Sequence, residues 1–130
     1  MRVISATFLA KFKSPLLRKL NQIINGCDIN HKCKIGKNFQ IRHNGTGTVV
    51  GGGVEIGDNV KIGSSCTIGY KRGYPKIGDN VTIFSNCVII GDITIGENSI
   101  IGAGTYLDKD IPPNSVVYNK KDLIIKVNKV

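Results

Sequence analysis

Tryptophan is absent from this chain of 130 residues, methionine occurs once, histidine twice, and phenylalanine and tyrosine four times each. So few rings leave little on which nucleic-acid bases can stack, and no nucleic-acid-binding motif accompanies the basic charge. Two histidines cannot supply the three imidazole ligands of a histidine-bound catalytic zinc, and the four cysteines lack the clustered CxxC spacing of a structural one. No run of about 20 apolar residues exists to cross a membrane. The stretch from Met1 to Ala10 is too short and too interrupted for a secretory signal, so a cytoplasmic location is expected, at or near the inner face of a membrane if the basic N-terminus is used there.

Acidic residues are also scarce, nine against eighteen basic ones, for a net charge of +9. The excess lies at the ends: Arg2, Lys11, Lys13, Arg18 and Lys19 precede the first acidic residue, Asp28, and Lys120, Lys121, Lys126 and Lys129 crowd the C-terminus. A polyanionic cofactor, an anionic membrane surface and a merely solvated face each account for this pattern.

What the chain has is a period of six. An aliphatic residue returns at Ile29, Ile35 and Ile41, then at Val50, Ile56, Ile62 and Ile68, then at Ile77, Ile83, Ile89, Ile95 and Ile101. Ile41 to Val50 and Ile68 to Ile77 are each nine residues, a hexapeptide with a three-residue insertion, and these insertions are the expected working loops. Six is neither a helical period nor the simple alternation of a strand, so each unit reads as one short strand plus one corner. Asn59, Asn80 and Asn98 follow the apolar position by three residues, at corners that demand unusual backbone angles. Cys27, Cys33, Cys66 and Cys87 all stand two residues before an apolar position, where the repeat takes small or β-branched residues, so they are expected as small core residues.

Three such sides make one coil of a triangular prism. The chain thus resembles the left-handed parallel β-helix of hexapeptide-repeat proteins, an all-β solenoid with about four coils over residues 29–107. Ser14-Pro15, then Leu16, Leu17, Leu20, Ile23 and Ile24, then Gly26 predict a capped amphipathic helix that closes one end. The expected organisation is a basic helical segment at 1–26, the β-helix at 27–113 and a C-terminal tail at 114–130, past Pro112-Pro113.

The resemblance becomes specific in the first insertion. Asp28-Ile29, Lys34-Ile35-Gly36-Lys37, Ile41-Arg42-His43 and Gly45-Thr46-Gly47-Thr48-Val49-Val50-Gly51 are similar to the catalytic segment of serine acetyltransferases and the shorter polysaccharide O-acetyltransferases. Pro75-Lys76-Ile77-Gly78, Ile89-Ile90-Gly91-Asp92-Ile93, Ile101-Gly102-Ala103-Gly104 and Ile111-Pro112-Pro113 have counterparts there as well. The similarity covers roughly residues 27–117. Counting sides from Ile29 also places His43 beside Asp28 at one corner, where a carboxylate can fix the tautomer of an imidazole base.

The resemblance implies direct acetyl transfer from acetyl-CoA, with His43 as general base oriented by Asp28 and no metal. His31 is out of register with the family by one position and reads as a surface residue. Gly69, Ser85 and Ala103 match the small residues that line the family's CoA groove, with Lys120 and Lys121 near the nucleotide phosphates, although the C-terminal motif departs from the family. A groove between neighbouring columns implies a homotrimer with three interfacial sites.

The acceptor motif departs too. Arg42 stands where serine acetyltransferases carry an aspartate, and Gly73-Tyr74 where they carry an Arg-His pair. Arg42, Tyr70, Arg72 and Tyr74 are therefore expected to meet a sugar, and the expected reaction is O-acetylation in capsule, exopolysaccharide or lipopolysaccharide synthesis. N-acetylation of an amino sugar and O-acetylation of serine remain alternatives. A zinc lyase similar to γ-carbonic anhydrases is excluded by the histidine count, whereas a noncatalytic scaffold would tolerate loss of His43.

Overall fold

A computed structural model describes residues 5–120 and 122–128. Two short helices, α1 (Ala6–Ala10) and α2 (Pro15–Asn25), lead into fourteen strands of two or three residues. These are β1 (Asp28–Ile29), β2 (Lys34–Ile35), β3 (Gln40–Ile41), β4 (Val49–Val50), β5 (Glu55–Ile56), β6 (Lys61–Ile62), β7 (Thr67–Gly69), β8 (Lys76–Ile77), β9 (Thr82–Ile83), β10 (Val88–Ile90), β11 (Thr94–Ile95), β12 (Ile100–Ile101), β13 (Tyr106–Leu107) and β14 (Val116–Val117).

Through β13 every third strand stacks in parallel on the one a coil below, and β14 stacks on β12 because the face-B segment between them makes only an isolated bridge, Ile111 to Ile95. Face A runs β1-β4-β7-β10-β13, face B runs β2-β5-β8-β11, and face C runs β3-β6-β9-β12-β14. The register pairs the period-six residues with one another, as in Ile35↔Ile56↔Ile77 and Ile62↔Ile83. Their side chains form the axial core, and Ile62, Ile68, Ile89, Ile95 and Ile101 are fully buried. A buried isoleucine contributes roughly 1.5–3 kcal/mol relative to exposure, so the stack itself carries the fold.

At the edge between faces B and C, Asn38, Asn59, Asn80, Asn98 and Asn114 all take the left-handed conformation, with φ between 54° and 59°. Each side chain donates to the next along this ladder, at 3.0 to 3.2 Å. Asparagine tolerates that backbone because its short amide bonds locally.

The column extends beyond the expected boundary at residue 113. Strand β14 pairs Val116 and Val117 with Ile100 and Ile101, so the tail begins only after one further rung. Among the four cysteines all thiols are free and buried, and burial pushes Cys27 and Cys33 up to about 12.

Helix α2 starts at Ser14, whose hydroxyl accepts from the Leu17 N–H, and stops at left-handed Gly26, φ 62°. Its orientation differs from the expected one. The buried side chains are Asn21 and Asn25, while Leu16 and Ile23 are 69% and 72% exposed. Asn21 donates to the Ala6 carbonyl at 3.3 Å and accepts from Asn25 at 3.0 Å, which ties α2 to α1. Helix α1 was not legible in the hydrophobic pattern. Its Thr7 hydroxyl accepts the Ile41 N–H at 3.0 Å and so caps an otherwise open strand edge on face C.

Candidate active site

The first insertion joins face C to face A, between β3 and β4. Its tip turns through three successive left-handed residues, His43 (φ 53°), Asn44 (φ 53°) and Gly45 (φ 64°). Two non-glycine residues in that region cost on the order of 1 kcal/mol each, an expense that the surroundings must hold in place. Gly45 is buried against Ile41 and Cys27, and the Gly47 N–H donates to the Gly26 carbonyl at 2.8 Å. The loop is thereby pinned to the helix stop beside Asp28, and it presents His43 to solvent.

Asp28 has another partner. Arg18 of α2 places Nε 2.6 Å from Oδ1 and Nη2 3.1 Å from Oδ2. The guanidinium holds the carboxyl below the usual carboxylate range against the opposing effect of burial, with Gln22 and Lys19 adding to the depression. Among the described residues no hydrogen bond joins Asp28 to His43. The structure puts both at the base of one edge and leaves the imidazole without a carboxylate contact.

Arg42, Ser85, Ala103 and Lys120 share the C–A edge with His43. Ser85 lies on it two rungs above the first, where its hydroxyl accepts the Ser64 N–H at 3.2 Å. Ala103 follows one rung higher, and together with Gly102, Tyr118, Asn119 and Lys120 it lines an open cleft of about 510 Å³. Asn119 donates to the Gly104 carbonyl at 3.1 Å and holds this segment against the column. Lys121 lies outside the described residues.

The second insertion lies elsewhere. It joins β7 of face A to β8 of face B, so Gly69, Tyr70, Arg72 and Tyr74 occupy the A–B edge, across face A from His43. Tyr70 is exposed and its ring centre lies 5.3 Å from that of Tyr74. Tyr74 is half-buried against Gly51 and Gly53, where its ring fills the space that any side chain on Gly53 would need. It is as much a packing residue as a ligand candidate. Arg72 is exposed at φ 59°, and Lys71 bonds Asp108 at 3.2 Å. Arg42 remains on the His43 edge, its guanidinium 5.9 Å from the centre of the Phe84 ring, a cation–π contact that the repeat phase did not disclose.

The comparisons with known proteins agree with this architecture. The family model for the bacterial transferase hexapeptide (six repeats) matches residues 74–109, and that for the hexapeptide repeat of succinyl-transferase matches residues 53–70. Serine acetyltransferase 2 of Arabidopsis thaliana is 35% identical over 107 residues, 78% of this chain and 33% of that protein. Serine acetyltransferase of Neisseria gonorrhoeae in complex with serine superposes with a TM-score of 0.75 at 36% identity, covering 80% of this chain and 44% of that one. A serine acetyltransferase in complex with CoA gives 0.72 at 28% identity, covering 77% and 42%.

The chain therefore spans between a third and a half of these relatives. It carries hexapeptide repeats of the bacterial transferase type and is similar in sequence and fold to part of the serine acetyltransferases. The relatives carry serine in their names, and none of the three is a polysaccharide enzyme.

Proposed function

We propose that the chain transfers acetyl from acetyl-CoA to the hydroxyl of free serine or a similar small acceptor, with His43 as general base. The observation that carries this is the placement of His43 at the left-handed tip of the first insertion, on the same edge as Ser85, Ala103 and the Lys120 cleft. The names of the relatives move serine ahead of the sugar acceptor expected from Arg42, Tyr70 and Arg72. A sugar hydroxyl remains the second reading, because Arg72 and Tyr70 are exposed and the acidic and Arg-His positions of a serine site are replaced.

In this mechanism the imidazole takes the acceptor's O–H proton while the oxygen attacks the thioester carbonyl. The tetrahedral intermediate collapses with cleavage of the C–S bond, and the proton passes from the imidazolium to the departing thiolate. No acyl-enzyme is needed. Asp28 would orient the imidazole from its bond to Arg18, since each carboxylate oxygen retains a lone pair for a second donor.

The proposed assembly is a homotrimer. One column holds His43, Ser85, Ala103 and Lys120 on the C–A edge and Gly69, Tyr70 and Arg72 on the A–B edge. A cyclic arrangement that sets one edge beside the other of its neighbour would unite them in three equivalent grooves. The exposed apolar residues of the N-terminal segment, Phe8, Phe12, Leu16 and Ile23, together with Lys11, Lys13 and Lys19, further support peripheral contact with an anionic membrane. Sedimentation with phosphatidylserine vesicles but not phosphatidylcholine vesicles, abolished in L16S/I23S, is the expected result. Equal partitioning into both would rule the contact out.

Thiol release from acetyl-CoA tests the acceptor. Turnover with serine and none with nucleotide sugars or oligosaccharides is expected. The reverse pattern would restore the sugar, and no turnover with any hydroxyl compound would remove the reading altogether.

A further inference from the structure

On the C–A edge, the register that pairs Ile41 with Ile62 and Ile62 with Ile83 also stacks the residues that follow them, Arg42, Gly63 and Phe84. Gly63 has no side chain to stand between its neighbours. Arg42 therefore reaches up the column past one rung, and its guanidinium comes to 5.9 Å from the centre of the Phe84 ring. Phe84 is 42% exposed, so the ring meets the cation on the outside of the column and is not spent in the core. A ring that takes the face of a guanidinium leaves the N–H groups around its rim free to donate.

The second observation is the charge around that cation. Among the described residues the ion pairs join Arg18 to Asp28, Lys34 to Glu55, Lys71 to Asp108 and Lys120 to Asp122, and none includes Arg42. From Arg42 upward the C–A edge, residues 42–48, 63–66, 84–87, 102–105 and 118–120, contains no aspartate or glutamate. Asp58, Asp79 and Glu97 lie on the B–C edge, and Asp92 and Asp108 on the A–B edge. Asp28, at the base of the C–A edge, already has both oxygens on Arg18. The edge that carries His43 thus holds an oriented, unneutralised cation at the residue next to the base, and no uncommitted carboxylate for a substrate ammonium.

We infer that Arg42 anchors a carboxylate of the acceptor while His43 takes the proton of its hydroxyl, so that the acceptor is a hydroxy acid recognised by its negative charge and not by an amino group. A planar guanidinium meets a carboxylate through two parallel N–H···O bonds, and this two-point contact fixes the direction in which the hydroxyl points. Phe84 acts through Arg42 as a positioning residue, because it holds the guanidinium in place before the acceptor arrives. The inference rests on the acetyl-transfer reading above and narrows its acceptor.

Thiol release from acetyl-CoA with 3-hydroxypropionate, serine and ethanolamine separates the two charges, since the first compound has only the carboxylate and the last only the ammonium. 3-Hydroxypropionate should match serine in kcat/KM, and ethanolamine should fall about tenfold or more below both. Among sugars, glucuronate should exceed glucose by the same margin. Arg42→Gln should lower the ratio of kcat/KM for 3-hydroxypropionate to that for ethanolamine by about tenfold or more, chiefly through KM, the worth of one charge-assisted contact. Phe84→Leu should lower the same ratio by roughly twofold to fivefold, and Phe84→Tyr should restore it.

Thiol release with a ratio unchanged in Arg42→Gln, or with ethanolamine used as well as 3-hydroxypropionate, would overturn the anchor and leave the transfer reading in place. If no hydroxyl compound releases thiol, the transfer reading fails, and the anchor is then judged without catalysis. His43 is one of two histidines in the chain, so its ring resonances can be followed in the intact protein. 3-Hydroxypropionate should shift them saturably, with affinity about tenfold weaker in Arg42→Gln, and the carboxylate site then stands. Equal shifts with ethanolamine, or none with either compound, would remove the anchor as well.

Discussion

Arg18 reaches from α2 to clasp both carboxylate oxygens of Asp28, at 2.6 and 3.1 Å, and so joins the helical cap to the first rung of the β-helix. The two side chains are 30% and 27% exposed, which limits the pair to roughly 0.5–1 kcal/mol despite its two-point geometry. Asp28 is held below the unfolded carboxylate value of about 3.9, so its contribution is present above that pH and is lost as pH falls through the lower folded value. Chemical denaturation of Arg18→Gln should therefore show a deficit at pH 7 that shrinks below about pH 4 and disappears in stronger acid. A deficit independent of pH would place the role of Arg18 in packing instead.

Gly53 and Tyr74 form a second pair with a measurable dependence. The Tyr74 ring occupies the volume of a Gly53 side chain, so Gly53→Ala should destabilise the fold by about 1–3 kcal/mol and shift the second insertion. In a Tyr74→Ala background the same change should cost little. Additive losses in the double variant would mean that the two residues do not meet.

Along the B–C edge, Asn80 donates to Asn98 and accepts from Asn59, both at 3.1 Å, while its φ is 57°. Asn80→Ala loses both bonds and keeps the left-handed strain, for an expected loss of about 1–2 kcal/mol. Asn80→Gly loses the bonds and relieves the strain, so its thermal unfolding should fall between that of the alanine variant and the unmodified chain. Identical melting of all three would deny the ladder any part in stability.

The contrast between what could and could not be read in advance follows from register. A period of six determines which residue lies above which, so the axial isoleucines, the buried cysteines and Asn59, Asn80 and Asn98 were placed without coordinates. The same phase put His43 and Asp28 at one corner, where the structure sets them without a hydrogen bond between them. Helix α2 has no register with the column, however, and its hydrophobicity pointed the wrong way: Asn21 is buried because its amide bonds across to the Ala6 carbonyl of α1, and Asn25 because its amide donates to Asn21, not because they are apolar. Arg18 was consequently invisible as the partner of Asp28. Tyr74 is expected as a ligand residue from its place where the family carries an Arg-His pair, and its packing against Gly51 and Gly53 was not legible because it depends on a contact between two coils.

The most direct test of the account replaces His43. With serine and acetyl-CoA, His43→Ala should lower kcat for thiol release by on the order of 100-fold or more, with the fold and CoA affinity preserved. Unchanged turnover in that variant would contradict a general base at the tip of the first insertion.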